Sequence, residues 1–157
     1  TILVPLYKLI VNTTGTSTYL SVILPHIAYQ LPMTIFLFTG FIGSISKELD
    51  EAALIDGCGR FGIFFRIIFP LLKPVTATVT ILVGVAIWND YTFSIFFLQK
   101  PNMYTLTVAL NQFFSQFSNQ INWVAAGCII GTIPLVILYL FLQKYFVKGL
   151  SAGAVKG

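Results

Sequence analysis

Charged side chains are scarce in this 157-residue chain, which has nine lysines and arginines and five aspartates and glutamates. Together these charges make up 9% of the residues, whereas a soluble domain carries about 25%. The chain therefore has too few charges to cover a surface that faces water. Hydrophobic residues account for 57% instead, and this composition predicts that the protein resides in a membrane.

Cysteine is also rare, with only Cys58 and Cys128. The two show neither the spacing of a disulfide framework nor that of a metal site, so we predict no bound metal. No glycine is followed by lysine, which excludes the phosphate-binding loop G-x-x-x-x-G-K-[ST]. We therefore predict that the chain does not itself hydrolyse ATP. We also predict that it is not an enzyme, binds no cofactor of its own and takes no nucleic acid as a partner.

Long apolar stretches predict an all-α fold, a polytopic bundle of transmembrane helices. A helix needs about 20 apolar residues to cross a bilayer, and residues 19–43, 64–98 and 124–146 each meet this need. Pro70 and Pro74 are expected to kink the second span at its entrance. Residues 1–11 are expected to be the end of an earlier span, with an N-terminal part of the protein before them.

Lysine and arginine are distributed unequally between the segments that connect the spans. The 44–66 connection carries Lys47, Arg60 and Arg66, whereas the 99–123 connection carries only Lys100. The C-terminal segment carries Lys144, Lys148 and Lys156. Cytoplasmic loops are the ones enriched in these residues. The pattern predicts a multi-pass protein of a bacterial-type cell membrane, with 44–66 and the C-terminus in the cytoplasm.

Four of the five acidic residues fall within nine positions of that cytoplasmic connection: Glu48, Asp50, Glu51 and Asp56. Ser46 before them is a suitable N-cap residue, and carboxylates are favoured in the first turn of a helix. A short helix is therefore predicted over residues 47–57. It is too short and too charged to cross a membrane.

The same short helix is predicted to present a shallow face and to end at a glycine. Leu49, Ala52 and Ala53 have the spacing of one helix face, and adjacent alanines let another protein approach closely. Asp56 and Gly57 follow as the stop, since glycine suits the left-handed position after a helix. These residues predict a short, charged cytoplasmic helix presented at a bend in the chain.

This stretch resembles the EAA loop of binding-protein-dependent import permeases of the ATP-binding-cassette class. The family pattern is Glu-Ala-Ala, three residues to a glycine, and an I-x-x-P ending. Residues 51–53, Gly57 and "IIFP" at 67–70 match it, although Phe69 stands where leucine is usual. The carbohydrate (maltose-type) branch is matched further by "WND" at 88–90, "YTLTVALNQF" at 104–113 and "KGLSAGAVKG" at 148–157.

The resemblance implies a fold, a function and a set of partners. The chain would be the C-terminal part of a permease domain that carries a sugar or oligosaccharide into the cell. Its partners would be a second permease, an extracytoplasmic solute-binding protein, membrane lipid and an ATPase subunit that binds ATP and Mg²⁺. The EAA loop would be the coupling helix, and its residues would be Glu51, Ala52, Ala53, Asp56 and Gly57.

Two other groups of residues are candidates for roles outside the cytoplasm. Near the outer end of the second span lie Trp88, Asn89, Asp90 and Tyr91. These residues are candidates for gating or for the substrate path. Alternatively, Asp90 has a structural role and the aromatic rings are membrane anchors. The resemblance implies that the solute-binding protein touches the loop that follows, and the candidate contact residues are Asn111, Gln112, Phe113 and Phe114. Alternatively, this loop is an interfacial helix that lies on the membrane.

Other functions remain as alternatives. One is a permease of the same class for an amino acid, a metal ion or another non-sugar solute, against which "WND" and "GAVKG" argue. Another is a proton-coupled secondary transporter, which needs ionisable groups at membrane depth; the spans offer only His26 and a peripheral Asp90. His26 is interpreted first as a residue that packs helices together. A third, a membrane scaffold that transports nothing, leaves the charged bend unexplained.

Overall fold

The computed structural model describes residues 2–46, 48–116 and 121–154, and these residues form helices joined by short turns. No strand occurs in the described ranges, in agreement with the predicted all-α fold. The chain divides into two compact units. Unit 1 comprises Thr1–Gln30 and Val85–Ile137, and unit 2 comprises Leu31–Gly84 and Leu138–Gly157.

The α-helices follow one another closely along the chain, and one π-helical turn and one 3₁₀ turn lie between them. The order is α1 Leu3–Thr13, α2 Leu20–Ile42, α3 Glu48–Ile55, α4 Arg60–Ile63, a π-helical turn Phe64–Ile68, α5 Phe69–Leu71, α6 Lys73–Trp88, α7 Thr92–Phe97, a 3₁₀ turn Pro101–Met103, α8 Leu106–Gln116 and α9 Ile121–Ala154.

Two of these helices are long and apolar enough to cross a membrane. They are α2, which falls within the predicted range 19–43, and the part Ile121–Lys144 of α9, which overlaps the predicted range 124–146. By contrast α1 has 11 residues and rises only about 16 Å, too little to cross alone. Pro134 lies inside α9 and removes one intrahelical N–H donor.

The predicted span 64–98 is not one helix. The Arg60–Leu71 and Lys73–Trp88 segments meet at a bend of 61°, which confirms the kink expected from Pro70 and Pro74. After Trp88 the chain breaks again before α7 begins at Thr92. The first break follows from prolines that lack an N–H donor, and the second lies at Asp90, whose carboxylate accepts backbone N–H groups of α7.

Unit 1 is built around α7 and the turn that precedes α2. Phe97 is fully buried and stacks on Tyr7 of α1, with ring centroids 6.1 Å apart. The Phe97 carbonyl accepts from the backbone N–H of Ser17 at 2.6 Å, and the Ser17 hydroxyl accepts from the N–H of Gln99 at 3.1 Å. Ser17 has a φ of +56°, so this tie holds a strained backbone in place.

Helices α8 and α9 pack through two glycines that sequence reasoning did not single out. A Cβ atom at Gly127 would lie 2.5 Å from Cδ2 of Leu110, and one at Gly131 would lie 2.7 Å from Cδ2 of Leu106. Their spacing, "GCIIG", is the small-x-x-x-small pattern that lets membrane helices approach closely. That pattern was the signal available in the sequence.

In unit 2 the buried side chains come from α3, α4 and α6, with one from the turn before α6. They are Ala53, Ile63, Leu72, Val75, Ala77, Thr78 and Ile81. The hydroxyl of Thr78 donates to the Pro74 carbonyl at 3.1 Å, and so does not remain unpaired in this apolar setting. Many apolar side chains on α2, α6 and α9 remain exposed, as lipid-facing residues do.

We predict that Gly131→Leu destabilises the packing of α8 on α9, because the new side chain would overlap Leu106. Overpacking of this kind costs about 1–3 kcal/mol. The midpoint of thermal unfolding of the purified protein should fall, and adding Leu106→Ala should restore part of it. Gly40→Leu is the control, since nothing lies within 4 Å of a Cβ there. An equal loss at both glycines would contradict this packing.

Candidate functional site

The charged helix α3 begins and ends as its residues predict. The Ser46 hydroxyl oxygen accepts from the N–H of Glu48 at 3.3 Å, as a capping residue does. Glu48, Asp50 and Glu51 occupy the first turn. Lys47, which belongs to the predicted range 47–57, lies outside the described residues.

The C-terminus of α3 has the hydrogen bonds of a Schellman motif. The N–H of Cys58 donates to the Ala53 carbonyl at 3.0 Å, and the N–H of Gly57 donates to the Leu54 carbonyl at 3.1 Å. Gly57 has a φ of +80°, which confirms the left-handed residue expected there. The helix proper has eight residues, so Asp56 and Gly57 form the terminating turn and are not part of the helix.

The exposed face of α3 differs from the face predicted. Ala53 is 4% exposed because it packs inside its own unit, so it does not share an outward face with Ala52. Successive helix residues point about 100° apart, since a turn takes 3.6 residues. The exposed side chains Glu48, Glu51, Ala52 and Ile55 have the spacing of one face.

Ile55 is the residue of this face that sequence reasoning missed. It is 86% exposed and ends α3, four residues after Glu51 and two before Gly57. An isolated exposed isoleucine is unremarkable by itself, but here it lies on the face that also carries Glu51 and Ala52. This face therefore presents a carboxylate, a small side chain and a large apolar side chain to a partner.

A second cluster of polar residues lies in unit 1, around Asp90. One carboxylate oxygen accepts from the N–H of Phe93 at 3.1 Å. The other accepts from the N–H of Ser94 at 2.9 Å and from its hydroxyl at 2.8 Å. Asp90 therefore caps α7, and since Ser94 is buried, this cap is part of the core of the unit.

His26 faces the same carboxylate. Its Nε2 lies 3.5 Å from the second carboxylate oxygen of Asp90, and both side chains are nearly buried. Its ring meets Phe93 edge to face at 5.2 Å, while its Nδ1 is buried and has no hydrogen-bond partner in the described part of the chain. The structure thus brings together the two ionisable residues that the sequence analysis treated separately.

The other residues of the "WND" segment make structural hydrogen bonds. The Trp88 indole N–H donates to the Gly131 carbonyl at 3.0 Å, and the Asn89 amide donates to the Val85 carbonyl at 2.9 Å. The Tyr91 hydroxyl donates to the side-chain oxygen of Asn111 at 3.2 Å. Tyr91 and Asn111 were predicted as members of different groups, and the structure places them in contact.

Helix α8 presents its predicted residues unevenly. Asn111 and Phe114 are exposed, whereas Gln112 and Phe113 are half-buried. Thr107 at the start of the helix donates its hydroxyl to the Asp90 carbonyl. Helix α8 is therefore connected to the cap of α7 at its start through Thr107 and near its middle through Asn111.

The long apolar helices are those of a helical membrane protein. Between them lies the short helix α3, which carries three acidic residues in its first turn. The sequence model of the family described as "Binding-protein-dependent transport system inner membrane component" matches residues 2–152. The chain belongs to this family, whose members are transport components and not enzymes.

Relatives are similar over nearly the whole chain. The melibiose/raffinose/stachyose import permease MelC of Bacillus subtilis is 52% identical over 100% of this chain and 57% of its own length. The trehalose/maltose transport permease MalG of Thermococcus litoralis is 36% identical over 97% of this chain and 55% of its own length. The arabinooligosaccharide permease AraQ of Bacillus subtilis is 36% identical over 99% of this chain and 54% of its own length. The chain thus spans little more than half the length of these relatives.

We predict that Asp90→Ala lowers the midpoint of thermal unfolding, because the N–H groups of Phe93 and Ser94 lose their acceptor. Loss of a cap costs about 1–2 kcal/mol, and Asp90→Asn, which keeps one oxygen, should cost less. Asn89→Ala is the matched control, since its exposed amide makes one local bond. If the Ala and Asn variants stay as stable as the parent, Asp90 is not the cap that holds α7.

Proposed function

We propose that this chain is the C-terminal part of a permease subunit of an ATP-binding-cassette importer, which carries a sugar or oligosaccharide into the cell. The family supports a transport role, and the names of the relatives include the sugars melibiose, raffinose, trehalose and maltose. We take raffinose, from the name of the relative at 52% identity, as the probe sugar.

The permease acts with several partners in this proposal. A second permease completes the pathway, an extracytoplasmic binding protein delivers the sugar, and ATPase subunits bind ATP and Mg²⁺. The arginine- and lysine-rich 44–66 segment and the C-terminus lie in the cytoplasm. Asn111, Gln112, Phe113 and Phe114 of α8 lie towards the binding protein, on the opposite side of the membrane.

Helix α3 is the element that couples the ATPase to the pathway. Its exposed carboxylate, Glu51, meets a basic group of the ATPase, while Ala52 and Ile55 supply close and apolar contact. Asp56 and Gly57 make the turn that fixes the direction of the chain beyond it. A ligand or partner shifts a conformational equilibrium only through contacts that differ between the states, and α3 provides such contacts.

The Trp88–Tyr91 segment links the pathway to α8. The Tyr91–Asn111 and Thr107–Asp90 hydrogen bonds connect the cap of α7 to α8. Binding-protein contact at α8 would therefore reach Asp90 and the residues beside it. The observation that carries the whole proposal is the geometry of α3, an acid-headed helix with an exposed Ile55 and a left-handed Gly57, in a chain of this family.

We predict that Gly57→Thr, made in the full-length importer, lowers raffinose uptake and transport-coupled ATP hydrolysis together. A β-branched residue is strained at a φ of +80°, by about 1–2 kcal/mol, so the turn after α3 should shift. Gly57→Asn should be milder because asparagine tolerates this conformation. Radiolabelled uptake and phosphate release in the same proteoliposomes provide the two measurements.

The matched control is Gly59→Thr. Gly59 has ordinary extended dihedrals, φ −70° and ψ 160°, at the N-cap of α4, where threonine is accepted. A Cβ meets nothing within 4 Å at either glycine, so the two variants differ in backbone strain and not in crowding. Normal uptake by Gly57→Thr, or equal losses in both variants, would contradict the coupling role.

A further inference from the structure

A pocket of about 330 Å³ in unit 1 has the chemistry of a binding site. Its polar and aromatic lining residues are His26, Tyr29, Gln30, Asp90, Thr92 and Phe93, and aliphatic residues complete the wall. Ligand pockets in proteins begin at about this size. The question is which class of ligand these residues would bind.

The charge in the pocket is already satisfied. The Asp90 carboxylate accepts three hydrogen bonds from Phe93 and Ser94 and lies beside His26. A charged ligand such as an amino acid needs free groups of opposite charge in a site of low dielectric. Apart from this pair, the pocket lining has no charged residue, so a neutral ligand fits better.

Three neutral polar groups of the pocket remain available. The Tyr29 hydroxyl, the Gln30 amide and the Thr92 hydroxyl make no hydrogen bond among the described residues. They provide both donors and acceptors, which is what the hydroxyl groups of a sugar require. Tyr29 and Phe93 meet edge to face at 6.0 Å, so an aromatic surface for the apolar face of a sugar ring lies beside them.

Gln30 is the most telling of these residues because of its position in α2. It lies ten residues after Leu20 and twelve before Ile42, the ends of the helix, which is about 15 Å from one end and about 18 Å from the other. An unpaired amide halfway along a membrane-spanning helix is costly unless it faces water, a ligand or another protein segment. Substrate sites of transporters commonly lie near the membrane midplane.

We propose that this pocket binds one ring of the transported sugar through Tyr29, Gln30 and Thr92, with Asp90 and His26 as its rigid floor. The proposal rests on the proposed function and assigns to this subunit a direct contact with the substrate. Asp90 is a positioning residue here, because its carboxylate holds α7, and with it Thr92 and Phe93, in place.

The test uses the full-length importer in proteoliposomes, with raffinose as the probe. Cys58→Ser and Cys128→Ser, together with replacement of any cysteine elsewhere in the importer, provide a background without cysteine, into which Gln30→Cys is introduced. Raffinose should slow the modification of this cysteine by a small water-soluble thiol reagent. Leu31→Cys is the control, one residue further along α2 and outside the pocket lining, and its modification should not respond to raffinose.

Substitutions that remove one polar group each give a second, independent measurement. Gln30→Leu, Thr92→Val and Tyr29→Phe should each raise the raffinose concentration at half-maximal uptake by about three- to tenfold, as expected for one lost hydrogen bond. Thr39→Val is the control on α2, since its hydroxyl bonds only to its own helix. If Gln30→Leu reduces assembly, Thr92→Val, which conserves shape, still gives the measurement.

The outcomes separate this inference from the function on which it rests. If the unmodified importer takes up raffinose but Gln30→Cys is not protected and the three variants are normal, the pocket assignment is wrong and the transport function stands. If the cysteine does not react at all, the pocket is closed to water and the assignment is also wrong. If the unmodified importer takes up none of the sugars named for the relatives, the proposed function itself fails.

Discussion

A polar group surrounded by hydrocarbon must find its partner within the protein, and this requirement organises the chain. Threonine hydroxyls on α2, α6 and α9 donate to carbonyls of their own helix, as in Thr39, Thr80 and Thr132. The Asp90 carboxylate is saturated by α7. Among the residues that the structure describes, few buried polar groups remain unsatisfied, and such groups point to places where the protein meets water, ligand or another protein.

The same requirement explains why α3 stands apart from the other helices. Its first turn carries three carboxylates that could not lie in hydrocarbon, and the Schellman turn at Gly57 ends it after eight residues. What this helix buries, through Ala53, holds it to its own unit, and what it exposes is a compact face around Ile55. A short helix that is packed on one side and exposed on the other can transmit a displacement of its partner to the unit on which it packs.

Local features of this protein could be predicted from its sequence, whereas long-range contacts could not. The left-handed Gly57 and the kink near Pro70 depend on one or two residues, and both are confirmed. The predicted exposed face of α3 was wrong at Ala53. Residue spacing shows which residues share a side of a helix, but not which side packs against the rest of the chain. The Tyr91–Asn111 and His26–Asp90 contacts join segments that are distant in the sequence, and no local sequence pattern predicts them.

The account depends most on α3 touching an ATPase subunit, and a site-specific cross-link tests this directly. In the assembled importer, with Cys58, Cys128 and any cysteine elsewhere in the assembly replaced, a photoreactive thiol label would be placed at Ile55→Cys and, as a control, at the buried Ala53→Cys. Irradiation should join the label at position 55 to the ATPase subunit in high yield and the label at position 53 in far lower yield. Adducts of position 55 with lipid or with the extracytoplasmic binding protein, and none with the ATPase, would contradict the account.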